Sequence, residues 1–404
     1  MHDWISLLAV PRFRAYWIAL LAESLGSWCV LGAIPILVAE RYGAGNELVL
    51  SLALRLAPKI LLAPVSGMVL RRFGAAHTAG SAMLAMGVLT AALPWCPSFA
   101  ILQIAIFGIG VFDVFINPGL LALRGAVTPR GLEMAGNTLF SVADRLAKIS
   151  GPVVGGLGVA AGFKPAFLAF GIAIALSGLP VARLDAGPAA DDTPHGRWRI
   201  LEPIREFGQI LRQEPRLAGL LICAVSYVVL MGGLRPFMFW ANRDWYGASD
   251  AAWTGLLAAQ GLGALVGALA AGMFSRPLLR AMSAYTVTLV TALMEGALHL
   301  VLLATWTSSQ AMIVLALAGI PEVISTAAWF TVVQERLAPK QQTVFFALSM
   351  PMWDCAFAVG IASAALHANG MLSLPAYWLM ISLISTLPNV PLLLWHLWPR
   401  QRPA

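Results

Sequence analysis

Apolar residues run along this chain in twelve long stretches, not in the short alternating pattern of strands or the stripes of surface helices. They fall at approximately 14–39, 48–70, 77–95, 98–123, 134–160, 165–183, 217–241, 251–274, 281–304, 310–334, 342–367 and 375–398, bounded by charges and by Gly or Pro turns. About 20 apolar residues in a helix rising 1.5 Å per residue cross the hydrocarbon core of a bilayer. Lipid offers no hydrogen bonds, so each crossing segment must satisfy its own backbone as a helix. The first run, Ala15 to Ala39, exceeds the roughly 7–15 residues of a signal-peptide core and reads as a first span. One long polar interval, Arg183 to Arg216, holds Asp191, Asp192, Pro194 and Gly196 and then predicts an amphipathic helix from Trp198 to Arg212. The expected architecture is an all-α membrane protein of twelve transmembrane helices in two six-helix, pseudo-symmetric halves. These halves are residues 1–183 and 217–404, joined by a linker at 184–216.

Composition narrows the function classes. The chain is 59% hydrophobic and 11% charged, with mean hydropathy +0.79. Soluble chains are roughly a quarter charged, so a soluble enzyme or a nucleic-acid binder is excluded. The net charge of +7 has another origin, visible in where the cations lie. With the N-terminus inside, 18 Lys and Arg fall on the cytoplasmic side and 3 (Arg41, Lys164, Arg243) on the outer side. That asymmetry predicts cytoplasmic termini and a cytoplasmic linker. Cys29, Cys96, Cys223 and Cys355 stand alone, and the six histidines show no ligand spacing, so no metal is expected. No Gly-x-Ser-x-Gly elbow, His-Glu-x-x-His pair or Walker motif occurs, so neither an enzyme nor an ATP-driven pump is expected.

The two halves look related. Gly67-Met68 before Arg71 recurs as Gly272-Met273 before Arg276, an offset of 205. Gly110 and Asp113 match Gly319 and Glu322 at 209, and Asp144 matches Asp354 at 210. Near-constant offsets at equivalent spans predict an internal duplication.

Local motifs then resemble the major facilitator superfamily over nearly the whole chain. Gly151-Pro152-Val153-Val154-Gly155-Gly156 in span 5 resembles the antiporter motif G-P-x-x-G-G, and Gly151 with Pro152 is expected to interrupt that helix, since proline removes one ladder hydrogen bond. Gly67, Arg72 and Gly74 match three positions of the loop motif G-x-x-x-D-R-x-G. Its acidic position is Arg71 here, which removes the carboxylate on which that motif's gating role depends. Phe13-Arg14, Trp17, Ser24 to Trp28, Asn117-Pro118, Val127-Thr128-Pro129 and Asn137 resemble the exporter branch that includes enterobactin and macrolide efflux proteins. The resemblance implies a secondary transporter in the inner membrane of a bacterium, exporting a small molecule. It implies no cofactor beyond a proton gradient, no nucleic-acid partner, and a monomer in the lipid bilayer. It also implies that the first, second, fourth and fifth helices of each half line a central cavity.

Eleven ionisable residues fall within spans: Glu23, Arg55, Lys59, Asp113, Asp144, Arg145, Lys148, Arg235, Glu295, Glu322 and Asp354. Each costs about 2.5–3.5 kcal/mol at mid-membrane unless it pairs or meets water. Ten lie on the spans that the resemblance makes cavity-lining. The exception is Glu295 in span 9, which has His299 one turn along and is expected to form a local structural pair. Arg55 and Lys59 share a helix face, Lys148 lies one turn from Asp144, and Arg145 and Arg235 add further cations. Arg55, Lys59, Asp144, Arg145, Lys148 and Arg235 therefore fit either a closed salt-bridge network or a pocket for an anionic or zwitterionic ligand. Glu23 and Asp113 have no cation within a turn on their own helices and are candidate proton carriers, and Glu322 and Asp354, which mirror Asp113 and Asp144, are candidates for matching roles. Trp28, Tyr227, Trp240, Trp329 and Trp353 are available to stack on a ring. The leading reading is a proton-coupled exporter of a small anionic or zwitterionic molecule such as a siderophore. The alternatives are a multidrug efflux antiporter and a lysophospholipid or amphiphile flippase.

Overall fold

The computed structural model describes residues 2–129, 132–184 and 201–397, and among them every regular element is helical. Twelve long helices match the twelve apolar stretches. They are α1 (Pro11–Tyr42), α2 (Asn46–Phe73), α3 (Ala75–Ala92), α4 (Phe99–Val127), α5 (Glu133–Ala161), α6 (Phe163–Ala182), α7 (Pro215–Trp240), α8 (Trp253–Ala281), α9 (Ala284–Val301), α10 (Ser308–Arg336), α11 (Pro339–Ser363) and α12 (Leu374–Thr386). Ten segments are long and apolar enough to cross a bilayer. The other two helices, α2 and α5, are 28 and 29 residues long and carry Arg55 with Lys59 and Asp144, Arg145 with Lys148. A strongly amphipathic helix, Leu201–Gln213, precedes α7, while linker residues 185–200 lie outside the described residues.

Turn chemistry sets the joints. Gly74 (φ +82°) and Gly162 (φ +137°) reverse the chain between α2 and α3 and between α5 and α6, in backbone conformations that other residues rarely adopt. The expected last span, 375–398, is broken at Leu387-Pro388 and continues as a short helix, Asn389–Leu397. Pro388 cannot donate to the preceding turn. Pro152 does not interrupt α5 as the sequence suggested, since the helix runs through it from Glu133 to Ala161.

The chain forms two compact units: residues 1–194 with 249–258, and residues 195–248 with 259–404. In the first unit α3 packs on α6, α1 on α5 and on α6, and α4 on α2 and α3. In the second, α9 packs on α10 and α12, and α7 on α11 and α12. Details recur at the offset of 209 already seen in sequence. Each of α3 and α9 ends in a 3-10 turn, Leu93–Trp95 and Leu302–Ala304. The side chain of Ser98 caps α4 by accepting from Ile101 N, and that of Thr307 caps α10 by accepting from Gln310 N. Gly110 brings α4 against the α2 backbone at Arg55, and Gly319 brings α10 against the α8 backbone at Gln260 and Gly263.

Candidate functional site

In the first unit four helices carry ionisable groups. Glu23 on α1 is 5% exposed, and two hydroxyls on its own helix hold its carboxylate. Ser27 Oγ donates to Oε1 at 2.7 Å and Ser24 Oγ to Oε2 at 3.4 Å. Arg55 on α2 is close enough for its charge to act on both Asp113 and Glu23. Its Nη1 is buried with no hydrogen-bond partner. Asp113 on α4 accepts from Asn117 Nδ2 at 3.2 Å. Asp144 on α5 is exposed, and its charge also acts on Glu23. Lys59, Arg145 and Lys148 are half-buried on α2 and α5. The structure thus gathers Glu23, Arg55 and Asp113, with Asp144 coupled more loosely.

The motif glycines are contact points between helices. A side chain at Gly151 would strike Trp28 Cβ, and one at Gly155 would strike the Cys29 carbonyl, both on α1. One at Gly156 would strike Thr254, in the part of the chain that folds with the first unit. Beside it Trp253 is 1% exposed and its Nε1 donates to the Gly32 carbonyl at 3.2 Å. Arg72 lies exposed over the Phe73 ring at 5.4 Å, and Gly74 supplies the reversal after α2. Gly67 lies within α2.

The second unit repeats the first framework with different chemistry. Tyr227 stands twelve residues past the proline that opens α7, as Glu23 does in α1. Gln260, offset 205 from Arg55, donates from Nε2 to Glu322 Oε2 at 3.3 Å, and Glu322 is the counterpart of Asp113. Tyr227 stands close enough to the Glu322 and Glu295 carboxyl groups to interact with both. These groups line a cavity of about 210 Å³ within this unit.

Glu295 departs from its expected role. His299 Nδ1 donates to the Glu295 main-chain carbonyl at 3.0 Å, and the Glu295 side chain lines the cavity beside Glu322. Helix α9, expected to stand outside the central cavity, forms part of the wall of this cavity within the second unit. Arg235 lies with its guanidinium 5.0 Å from the centre of the Phe357 ring, and Asp354 is half-buried on α11 outside the cavity lining. Trp240 packs against His367 and Tyr377. Gln260 and Asn389 carry no charge, so intramembrane charge does not mark them in the sequence. The repeat offset that maps Arg55 onto Gln260 was the available signal.

Comparison with known proteins agrees with this architecture. The family description "Major Facilitator Superfamily" matches residues 16–362. No curated protein matches the chain. Among solved structures it is similar to a POT family transporter in complex with a thioalcohol-conjugated peptide, with TM-score 0.73, 12% identity and 95% of each chain covered. It is also similar to the nucleoside transporter NupG, with TM-score 0.69, 12% identity, 95% of this chain and 100% of that one covered. A third is the human organic anion transporter MFSD10, with TM-score 0.66, 16% identity, 95% of this chain and 99% of that one covered. With the family match spanning most of its length, this chain belongs to the Major Facilitator Superfamily and is a multi-pass secondary transporter.

Proposed function

We propose that the protein is a proton-coupled exporter of a small anionic or zwitterionic organic molecule, such as a siderophore or related metabolite. We place it in a bacterial inner membrane with both termini in the cytoplasm. The orientation is supported by the 18-to-3 cation asymmetry. The observation that carries the function is the cluster of Glu23, Arg55 and Asp113 in the first unit. Arg55 keeps one buried guanidinium nitrogen free of any hydrogen bond, the kind of donor a ligand carboxylate takes.

Antiport requires that substrate and proton exclude each other. A lone anion on Arg55 does the reverse, since drawing the guanidinium away from Glu23 favours protonation of that carboxyl. A positive group beside Glu23 or Asp113 competes with the proton directly. A zwitterion makes both contacts and is the member of the class we favour. Glu23 is the coupling acid of this proposal, and its serine partners stabilise the ionised form between proton transfers.

The test uses inside-out vesicles with an acid lumen. The probes are 2,3-dihydroxybenzoylserine as an anion and phenylalanine as a zwitterion. Wild type should accumulate at least one probe when the gradient is imposed, and Arg55→Gln should lose most of that uptake. Uptake of neither probe, or uptake unchanged in Arg55→Gln, would refute the assignment of substrate class.

A further inference from the structure

The cavity of the second unit carries chemistry that the exporter reading does not use. Two carboxylates enter it, Glu295 from α9 and Glu322 from α10, and no Lys, Arg or His is among its lining residues. Its walls are aromatic, with Trp329 and Trp353 in edge-to-face contact at 5.1 Å between ring centres. Three of its polar groups are buried and unsatisfied. Trp329 is 5% exposed with no acceptor for its Nε1, and Asn389 is 2% exposed with no donor to its Oδ1. Trp353 Nε1 is likewise buried without a partner. Buried donors and acceptors are nearly always bonded, and each one left open costs about 1–3 kcal/mol.

We propose that this cavity binds the protonated amine of a small organic molecule whose body is apolar and about the size of one ring. Two carboxylates in an apolar wall repel each other and lose hydration, and an ammonium group relieves both penalties. The surrounding ring faces attract the same cation. The amide oxygen of Asn389 accepts from its N–H, while the two indole N–H groups are placed to donate to a hydroxyl or carbonyl on the ligand. An anion meets two like charges here, and a neutral molecule brings no opposite charge to them. At about 210 Å³ the cavity is smaller than the roughly 300–1,000 Å³ typical of drug-sized ligands, which limits it to one ring and a short amine arm. The proposal deepens the substrate class given above by specifying a one-ring body on a short amine arm, and rests on that reading for the ligand's transport but not for its binding.

The experiment is equilibrium binding to the purified full-length protein in detergent, followed by tryptophan fluorescence and calorimetry. Three probes share one ring: phenethylamine, uncharged 2-phenylethanol and anionic 3-phenylpropionate. Phenethylamine should bind at least tenfold more tightly than the other two, and Glu322→Gln should weaken it at least tenfold. Equal affinity for the amine and the alcohol, preference for the acid, absence of amine binding, or unchanged affinity in a monodisperse Glu322→Gln would each overturn the proposal. If Glu322→Gln does not yield folded protein, Glu295→Gln is read in its place, with the same loss expected and unchanged affinity overturning the proposal. Transport is not read, so a failure of proton coupling at Glu23 produces none of these results.

Discussion

Gly155 offers a perturbation whose size follows from the packing of α1 on α5. A methyl group there collides with the Cys29 carbonyl, and the next nearest atoms, Cys29 C and Cα at 3.0 Å, are also backbone. Backbone held inside a 32-residue helix cannot swing aside as the tip of a side chain can. Overpacking of this kind costs about 1–3 kcal/mol. Alanine also has a better helix propensity than glycine, by roughly 0.8–1 kcal/mol, which partly offsets that cost. Gly208 isolates the second effect, because it lies inside the helix Leu201–Gln213 with nothing within 4 Å of an added methyl. Gly208→Ala should therefore stabilise the protein slightly while Gly155→Ala destabilises it. The propensity gain cancels between them, leaving a difference of about 1–3 kcal/mol, the overpacking cost itself. Thermal or denaturant unfolding in detergent, followed by the fraction that remains monodisperse on gel filtration, measures it. Equal stability of the two variants would refute the close α1–α5 approach and the structural account of the G-P-x-x-G-G motif.

Two further outcomes follow from single residues. Trp253→Ala should cost about 3–5 kcal/mol through lost burial, whereas Trp253→Phe keeps most of the ring and should lose only about 1 kcal/mol with the bond to Gly32, and unfolding of both variants compares them. Cys96 lies in the short connection after α3, on the predicted outer side, so a membrane-impermeant maleimide should label it in intact cells. Partial burial raises its thiol above the ordinary value, against a smaller lowering by Arg41. Only the thiolate reacts, so the rate should still be climbing at pH 8.5, and labelling that requires permeabilised cells would reverse the topology.

The fold was legible because the bilayer imposes a single rule on each crossing segment. Apolar length located twelve helices, and glycine and proline located most of their ends. The repeat was legible too: the offset of 209 that pairs Asp113 with Glu322 also pairs the helix caps and the 3-10 turns. The chemistry was legible only in part, because the search followed charge. It brought out Glu23, Arg55 and Asp113, which the structure gathers. It passed over Gln260 and Asn389, whose importance comes from what they face. Tyr227 was counted only among rings that stack, yet it stands beside two carboxyl groups. Glu295 was misread for a different reason: its spacing of four to His299 fixes which helix face they share, but not which main-chain or side-chain atoms meet. Pro152 shows the same gap, since an internal proline removes one hydrogen bond without ending a helix that is packed along its length.

The central claim is that Glu23 exchanges the proton that drives export. Proteoliposomes loaded for two assays separate coupling from binding: uptake against a gradient under an imposed pH difference, and counterflow exchange with no pH difference. Both use the probe that wild type accumulates. Glu23→Gln cannot release a proton, so it should lose uphill accumulation, while Arg55 and Asp113 still hold the ligand's two charges and counterflow persists. If Glu23→Gln still concentrates the probe when the proton gradient is imposed, Glu23 is not the coupling acid and the account fails at its centre.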